Sequence, residues 1–420
     1  MKVLLSAYAC EPNRGSEPGV GWHNVQEIAK YHEVWVLTRP DDGKEAIEAE
    51  LANNPNPNIH FVYFTLPILG GFWQWGSIAF VLHYYLWQVQ AYFVARRLHR
   101  EIGFDVAHHV TFVRYSTPSF IALLPIPFVW GSVGGGEAAP QPFWQDFSLK
   151  AKLYEVLRVL AHRVGELDPF VSLTVNKSAV TRVTTKDTAQ RVALLGDCKI
   201  QIASEASLSP GEIAKLSQFS YPAESPVRFI SMGRLLHWKG FHLGLRAFAA
   251  AKLPNAEYWV LGDGAEAANL QLLAQELGIA KQVKFWGRLP RTKSLEKLAQ
   301  SHVLVHPSLH DSGGWVCLEG MAAGRPILCL DLGGPGVQVT PETGIKVLAE
   351  NPQQAVQGLA QGMVTLAENQ QLRSQMGQAG REHVRDFYNW ETKGQELTKL
   401  YEAVTSKQAH TPQKVTSVTL

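Results

Sequence analysis

The sequence predicts an α/β protein made of two facing Rossmann-like domains, each with a doubly wound parallel sheet. In both halves of the chain, short and mostly apolar runs alternate with longer segments of helical character, which is the pattern of parallel α/β sheets. The apolar runs lack in/out alternation, as expected for strands that are buried on both faces. A chain of 420 residues also exceeds the size at which one hydrophobic core usually keeps growing.

The predicted strands fall into two groups. Those of the first half are 3–8, 34–38, 60–64, 106–111, 128–131, 182–185 and 200–203, and those of the second half are 227–232, 257–261, 283–286, 303–306 and 326–330. The stretch between the groups is rich in Ser and Pro and is typical of an interdomain linker. We therefore expect domains at 1–205 and 227–386, a linker at 206–226, a helical segment at 387–405 and a polar tail at 406–420.

Composition excludes several classes of protein. Hydrophobic residues make up 46% of the chain and charged residues 18%, which describes an ordinary globular protein. A net charge of +2 gives no reason to expect a nucleic-acid partner. The four cysteines are scattered without metal-binding spacing, and no signal-peptide pattern is visible at the start. These features predict a cytoplasmic protein with free thiols.

An aromatic stretch at 66–93 leaves two interpretations open. It is interrupted by Gln and His and has no clean run of about 18 apolar residues, so a membrane-spanning helix is not expected. One interpretation is a long core helix with a basic end. The other is a peripheral contact with the inner face of a membrane, made by Trp73, Trp75, Tyr84, Tyr85, Trp87 and Tyr92.

The most informative segment is residues 306–326, which follows a predicted strand. A turn with Gly313 and Gly314 leads into a helix, and at the C-terminal edge of a parallel sheet such a turn aims backbone N–H groups at a ligand phosphate. Two carboxylates in the same segment, Asp311 and Glu319, would repel phosphate and are better suited to accept hydrogen bonds from hydroxyl groups. This combination predicts a nucleotide-sugar site.

Further candidate residues follow the neighbouring predicted strands. Gly233, Arg234, Lys239 and Gly240 follow the first strand of the second half. The planar guanidinium group of Arg can bind two phosphate oxygens at once, and the ammonium group of Lys adds a compact positive charge, so the pair suits a diphosphate. The alternative is an ordinary pair of surface cations. Gly262 ends the next strand in a Gly-Asp-Gly turn, which by itself is a weak signal. Arg288 ends the third strand, where the segment 285–289 could flank a nucleobase or form a plain turn.

The first half contributes loops with glycine and histidine. Gly15 and Ser16 lie between the first strand and first helix, and the glycine spacing there is not G-x-G-x-x-G, which disfavours a nicotinamide enzyme. His108 and His109 end a strand. Adjacent strand residues face opposite ways, so the pair cannot easily share a metal ion, and one of them is a candidate site residue unless both are core histidines. The sequence also lacks a D-x-D motif at a strand end, so we expect neither a metal nor another cofactor.

These motifs resemble those of the retaining glycosyltransferases of family four, also described as glycosyl transferases group 1, which adopt the GT-B fold. The resemblance covers nearly the whole chain and is strongest at 227–332. Its most specific element is the E-x7-E pattern, here Asp311 to Glu319 with seven residues between them. Asp replaces the first Glu, which keeps the charge and shortens the side chain by one methylene.

The resemblance implies a role for each candidate. Arg234 and Lys239 would contact the donor diphosphate, and Glu319 would accept hydrogen bonds from the ribose. Asp311 and the backbone near Gly313, Gly314 and Trp315 would contact the donor sugar and phosphates. The Gly15–Ser16 turn resembles the family's phosphate-proximal loop, and His109 rather than His108 is preferred near the sugar. The first domain would bind the acceptor, and the segment 387–405 would be a helix that crosses back to it.

The implied function is transfer of a sugar from a nucleotide-sugar donor to a glycan, a glycolipid or another acceptor, with retention of configuration and without a metal ion. The acceptor would be a sugar, a lipid-linked molecule or a small molecule. Two alternatives stay open: a GT-B epimerase or phosphorylase, and a non-catalytic module that binds a nucleotide sugar or scaffolds a complex.

Overall fold

The structure, a computed structural model, describes residues 1–41, 43–66, 71–222 and 225–409. Two separate parallel sheets form its framework, one of seven strands and one of six. Helices connect the strands and cover both faces of each sheet. The predicted fold class, two Rossmann-like α/β domains in the GT-B arrangement, is confirmed.

The first sheet has the strand order β3-β2-β1-β4-β5-β6-β7. Its strands are β1 (Lys2–Ser6), β2 (Glu33–Thr38), β3 (Ile59–Tyr63), β4 (Val106–His109), β5 (Phe128–Val133), β6 (Ser178–Val183) and β7 (Ile200–Ile202). The helices between them are α1 (Ser16–Ala29), α2 (Lys44–Asn53), α3 (Ser77–Ile102), α4 (Leu149–Glu166), α5 (Pro169–Lys177) and α6 (Lys186–Ala193). Short 3₁₀ turns lie at Phe72–Trp75, Phe120–Leu123 and Gln141–Asp146.

The second sheet has the strand order β10-β9-β8-β11-β12-β13. Its strands are β8 (Val227–Met232), β9 (Ala256–Leu261), β10 (Val283–Gly287), β11 (Val303–His306), β12 (Ile327–Leu330) and β13 (Gly344–Val347). Its helices are α8 (Phe241–Ala251), α9 (Ala267–Glu276), α10 (Arg291–Ala299), α11 (Trp315–Ala322), α12 (Gly333–Gln338), α13 (Pro352–Glu368) and α14 (Gln370–Phe387), with a 3₁₀ turn at His237–Lys239. Sequence reasoning missed β13, which is short and only partly buried.

In each sheet the order of successive strands reverses near the centre, so that the chain builds the sheet outwards first on one side and then on the other. In the second sheet β8 lies between β9 and β11, so the loops after β8 and β11 leave the sheet side by side at its C-terminal edge. Doubly wound sheets bind ligands in the crevice that opens at this point. The topology therefore places the two most informative sequence motifs next to each other.

The sheets are buried on both faces, which explains why the strand sequences do not alternate. In the first sheet, Leu4 packs in one apolar cluster, whereas Val3 and Leu5 pack in another on the opposite face. Both faces need apolar side chains because helices cover them.

The segments between and after the domains are more helical than expected. The predicted linker 206–226 contains an eight-residue helix, α7 (Pro210–Ser217), which begins with a capping box between Ser209 and Glu212. The last described helix, α15 (Trp390–Ala409), packs against α1 and buries Leu397 and Tyr401 in the apolar core of the first sheet. The predicted domain boundaries themselves stay predictions. Residues 410–420 of the predicted polar tail lie outside the described residues.

The aromatic stretch is mainly part of the first domain's core. Tyr84 and Trp87 on α3 are buried, so the interpretation that places them at a bilayer interface is wrong for these two residues. Trp75, by contrast, is exposed. Residues 67–70 of the stretch lie outside the described residues. Among the described helices, none is long and apolar enough to cross a membrane.

We predict that Leu397→Ala destabilises the protein by about 2–5 kcal/mol, since it removes a buried side chain from the contact between α15 and the first domain. Thermal unfolding followed by circular dichroism measures the effect. Lys399→Ala, an exposed position on the same helix, is the matched control and should change stability little. Equal melting temperatures for Leu397→Ala and the wild type would show that α15 is not anchored in this core.

Candidate active site

The loops after β8 and β11 contact each other directly. The backbone N–H of Leu309 donates to the carbonyl oxygen of Trp238 over 2.8 Å. Gly240 has a φ of +67°, and a Cβ there would lie 1.9 Å from the Pro307 oxygen, so only glycine allows this approach. The close packing holds the Arg234–Lys239 and Asp311–Glu319 segments at one end of the sheet.

Asp311 lies at the centre of a polar cluster. Lys239 Nζ donates to its Oδ2 atom over 2.6 Å, and His306 Nε2 lies 3.1 Å from the same oxygen. The N–H of Gly314 donates to Oδ1 over 3.3 Å, immediately before α11 begins. Gly314 itself adopts the left-handed conformation, with a φ of +58°. Asp311 therefore links a lysine, a histidine and the start of a helix.

The cluster keeps Asp311 ionised. Burial alone would raise the pKa of its carboxyl group, but the hydrogen bond with His306 and the charge of Lys239 lower that pKa well below the ordinary value. Lys239 was expected to contact a diphosphate and Asp311 a sugar. In this structure the two side chains bind each other, so the charge of Lys239 is largely compensated.

Four of the predicted residues line one cavity of about 500 Å³ at the edge of the second sheet: Gly233, Arg234, Gly262 and Arg288. Arg234 is exposed and faces this space together with Arg288. Gly262 has a φ of +135°, and a Cβ there would lie 1.8 Å from the Gly233 oxygen. Gly233 and Gly262 therefore allow the turns after β8 and β9 to contact each other. The cavity lies beside these turns and is bordered by Arg234 and Arg288.

Three other predicted residues, Gly15, Ser16 and Trp315, line a second cavity of about 580 Å³ between the two domains. Sequence reasoning missed most of its walls, including Trp22, His23, Arg291 and Trp390. The aromatic residues gave no local signal, because α1, α11 and α15 bring them together only in the folded chain.

Glu319 lies beside this second cavity and is 6% exposed. Arg291 from α10 pairs with it over 2.5 Å and also with Glu212 of α7 over 2.8 Å. Burial raises the pKa of the Glu319 carboxyl group, although Arg291 opposes that rise. Arg291 was not among the predicted residues. A ligand that binds Glu319 must share it with this arginine or displace the arginine, which is largely exposed.

The first domain reaches the site through Glu137, at the end of the glycine run 131–137. Ser312, next to Asp311, donates to Glu137 Oε2 over 2.6 Å, and Thr185 and Thr188 donate to Oε1 over 2.6 and 2.8 Å. The carboxyl group is buried, which by itself raises its pKa, but these hydrogen bonds lower the pKa below its ordinary value. Glu137 is thus an ionised acceptor that connects the two domains.

A second connection uses Glu155 of α4, whose side chain is fully buried. His237 Nε2 donates to Glu155 Oε1 over 2.9 Å, and His310 Nε2 lies 3.7 Å from the same oxygen. Burial raises the pKa of Glu155, but the hydrogen bond with His237 and the nearby His310 and Arg158 outweigh it and lower the pKa to about 2. Both histidines belong to the ligand-edge loops of the second domain.

The two predicted histidines are each 1% exposed. His108 contacts the Tyr401 hydroxyl group and the Gly131 oxygen, each at 2.5 Å, so it connects β4 with α15. His109 Nε2 lies 3.2 Å from the Tyr84 hydroxyl group and from Gln88 Nε2. Burial lowers the pKa of each imidazole to about 3. The contacts are those of neutral, packed histidines, and a role for His109 beside a donor sugar stays a prediction.

No group of three or more His, Cys, Asp or Glu side chains within the described ranges is arranged to hold a metal ion. The carboxylates at the site are instead bound by lysine, arginine, histidine and hydroxyl groups. The expected independence from metal stays a prediction.

Solved structures with the same two-domain fold extend over nearly the whole chain. HepE of Anabaena in complex with UDP is 17% identical and matches 96% of this chain and all of that chain, with a TM-score of 0.60. Sucrose-phosphate synthase of Thermosynechococcus elongatus is also 17% identical and matches 97% of this chain and 99% of that chain, with a TM-score of 0.59. At these identities the likeness establishes the fold alone, which is that of GT-B proteins.

A family model matches much of the second half of the chain. Residues 213–383 match the family model of glycosyl transferases group 1, and they include β8 to β13 with both ligand-edge motifs. The family resemblance predicted from the motifs is therefore confirmed for residues 213–383.

Curated relatives match part of the chain. The lipopolysaccharide core biosynthesis glycosyltransferase LpsE of Rhizobium meliloti (strain 1021) is 35% identical over 162 residues, which is 38% of this chain and 45% of that protein. LpsD of the same organism is 28% identical over 230 residues, or 54% of this chain and 64% of that protein. The chain thus spans about half the length of the curated relatives it matches.

We predict that the stabilising effect of Glu155 depends on pH. Because the pKa of this carboxyl group is lower in the folded than in the unfolded protein, its contribution is complete above the unfolded value and is lost as the pH falls towards about 2. At neutral pH, Glu155→Gln should lower the melting temperature by roughly 2–6 °C. The difference from the wild type should shrink as the pH is lowered.

Melting temperatures measured between about pH 3 and pH 7 provide the test. Glu276→Gln, an exposed carboxylate at the end of α9, is the control. A wild-type advantage that stays constant down to the lowest pH would contradict the proposed ionisation of Glu155.

Proposed function

We propose that this protein is a retaining glycosyltransferase that moves a sugar from a nucleotide-sugar donor to a glycan, glycolipid or other acceptor without a metal ion. The observation that carries the proposal is the convergence, at the C-terminal edge of the glycosyl transferases group 1 domain, of the Arg234 cavity and the Asp311–Gly314 turn. The Gly15–Ser16 loop and Glu137 of the other domain face the same edge.

The donor nucleotide would occupy the two cavities. The space lined by Gly233, Arg234, Gly262 and Arg288 would accept the base and the phosphates, and Glu319 would accept hydrogen bonds from the ribose. Structures of HepE hold UDP and UDP-glucose, which supports a nucleotide-sugar donor for a protein of the same fold.

Charge explains how bond cleavage would be assisted. Breaking the bond between the anomeric carbon and the phosphate places negative charge on the departing diphosphate. Arg234 is exposed at the cavity, and the N–H groups at the start of α11 add a positive dipole end. Lys239 would contribute once the diphosphate competes with Asp311 for its ammonium group. Preorganised charges of this kind stabilise a leaving group without a metal ion.

The acceptor would bind mainly to the first domain and attack from the face that the diphosphate leaves, so the configuration is retained. Glu137 and Ser312 already join the domains at one side of the cleft, and closure beside the Gly15–Ser16 loop would exclude water, which otherwise hydrolyses the donor. Relatives are named for lipopolysaccharide core biosynthesis and for transfer to a phosphatidylinositol mannoside, which supports a glycan or lipid-linked acceptor.

A second candidate function is a non-catalytic module that binds a nucleotide sugar. The pairing of Lys239 with Asp311 favours it, because each group satisfies the other and neither is left available for chemistry. Release of nucleoside diphosphate from a donor–acceptor mixture separates the two functions, since a binding module releases none.

We expect a nucleoside diphosphate or nucleotide sugar to raise the melting temperature, because a ligand that binds only the folded state stabilises it. A thermal-shift panel of uridine, guanosine and adenosine diphosphates and their sugars identifies the nucleotide. Arg234→Ala and Glu319→Ala should abolish the rise, and Arg234→Ala should slow diphosphate release about 10²–10³-fold.

The matched control is Lys281→Ala. Lys281 is exposed and precedes β10, so it lies at the opposite edge of the same sheet, and its loss should leave the shift intact. A panel in which no nucleotide changes the melting temperature, or an Arg234→Ala variant that responds like the wild type, would refute the proposed donor site.

We also predict that activity persists in a metal chelator. The leaving group is stabilised by side chains and helix N–H groups, so removal of divalent cations should change the rate of diphosphate release by less than about twofold. Assays with excess EDTA, followed by Mg²⁺ or Mn²⁺, measure this. Activity that disappears with EDTA and returns with either cation would show that a metal takes part.

A further inference from the structure

In helix α4 the polar face points to the protein interior and the apolar face points outwards, which is the reverse of the usual arrangement in a surface helix. A surface helix normally turns its apolar stripe to the core and its polar face to water. The inward positions of α4 recur every three or four residues and are mainly polar: Ala151, Glu155, Arg158 and His162. The remaining face points outwards and is mainly apolar.

The inward side chains have specific partners. Glu155 binds His237, Arg158 donates to the backbone oxygen of Glu137, and the His162 ring packs edge-to-face on Tyr115. Ser148 caps the first turn by accepting from the N–H of Ala151. The orientation of the helix is therefore held by several directional contacts, and a rotation that buried the apolar face would break them.

The outward side chains form a continuous stripe, here called the α4 apolar face. It consists of Leu149, Leu153, Val156, Leu157, Leu160 and Val164, and Tyr154 and Val159 flank it. Leu153, Leu157 and Leu160 are 58%, 56% and 58% exposed. With eight exposed large apolar side chains, α4 presents more of them than any other helix in the described part of the chain. Along about 27 Å of helix, such a face is expected to be covered.

The face continues beyond α4. Leu167 and Phe170 are exposed immediately after it, and Asp168 between them accepts a hydrogen bond from Tyr85 of α3 over 3.0 Å. Ile78, Val81 and Leu82, which precede Tyr85 on α3, are exposed as well. Exposed apolar side chains of α3 therefore precede a residue that contacts the segment just after α4.

Two basic residues lie at the start of the α4 apolar face. Lys150 is exposed and Lys152 is partly exposed, whereas the exposed Arg163 near the other end pairs with Glu166 over 2.9 Å. Both acidic residues of α4 point inwards, Glu155 to His237 and Glu166 to Tyr115 and Arg163. A second copy of the chain paired through this face would bring like charges together, whereas an anionic surface would complement them.

We propose that the α4 apolar face lies in the interface of an anionic lipid bilayer, with Leu153, Leu157 and Leu160 among the acyl chains and Lys150 and Lys152 at the headgroups. An in-plane helix with apolar side chains on one face and basic residues at its edge binds such surfaces through buried apolar area and charge together. The inward face of the same helix contacts the His237 and His310 loops, so the bilayer would lie one helix thickness from the cleft. The proposal does not depend on the proposed activity.

Co-sedimentation of the full chain with vesicles tests the proposal. We expect binding to vesicles of phosphatidylcholine with phosphatidylglycerol, weaker binding to phosphatidylcholine alone, and a decrease in about 0.5 M salt. The triple variant Leu153→Glu/Leu157→Glu/Leu160→Glu should bind the anionic vesicles at least about tenfold more weakly. Lys150→Glu/Lys152→Glu should weaken binding to anionic vesicles only.

The matched control is Leu272→Glu on α9, which alters a side chain that is 56% exposed in the other domain and should leave vesicle binding unchanged. Because none of the substituted positions is buried, the variants should keep the wild-type melting temperature. The nucleotide-induced shift is measured on the same samples, so loss of membrane binding is distinguished from loss of the donor site.

Three results would overturn the proposal. The first is no binding of the wild type to anionic vesicles, and the second is equal binding of the triple variant. The third is a wild-type dimer in sedimentation equilibrium that the triple variant converts to a monomer, since the α4 apolar face would then be a contact between two copies of the chain.

Discussion

Two buried carboxylates of the first domain depend on groups of the second. Glu137 accepts a hydrogen bond from Ser312, and Glu155 accepts one from His237. A buried charge without partners costs several kcal/mol, so the domains keep the relative position that supplies these donors. Because Ser312 and His237 belong to the two ligand-edge loops, the same contacts that join the domains also arrange the candidate active site.

The arrangement of the second sheet complements these contacts. β8 and β11 are neighbours, and the loops that leave them approach within hydrogen-bond distance because Gly240 permits it. The pairing of Lys239 with Asp311 follows from that approach. The surroundings of Asp311 are therefore nearly neutral, and the exposed cations Arg234 and Arg288 face the neighbouring cavity. A diphosphate would meet the arginines first and then compete for the lysine.

Helix α4 connects the site with a different surface. Its polar stripe binds the ligand-edge loops, and its apolar face is exposed. A helix that places polar groups inwards leaves its apolar side chains in water, and an exposed apolar face of this kind marks a surface that another phase or partner covers. The inward face of this helix positions loops of the second domain, and the outward face is the one proposed to contact a bilayer.

The sequence by itself determined the fold class, because apolar runs buried on both faces are visible without any long-range information. It also indicated Gly233, Arg234, Asp311 and Glu319 as candidate site residues, since strand ends with glycine and charge are local patterns. The tertiary structure alone decided which charges meet: Arg291 with Glu319, Lys239 with Asp311 and His237 with Glu155. The two residues of each pair lie in different secondary-structure elements or loops, so no local sequence pattern predicts the pairing. The tertiary structure likewise decided that Tyr84 and Trp87 are core residues while the leucines of α4 are exposed, because orientation depends on what each helix packs against.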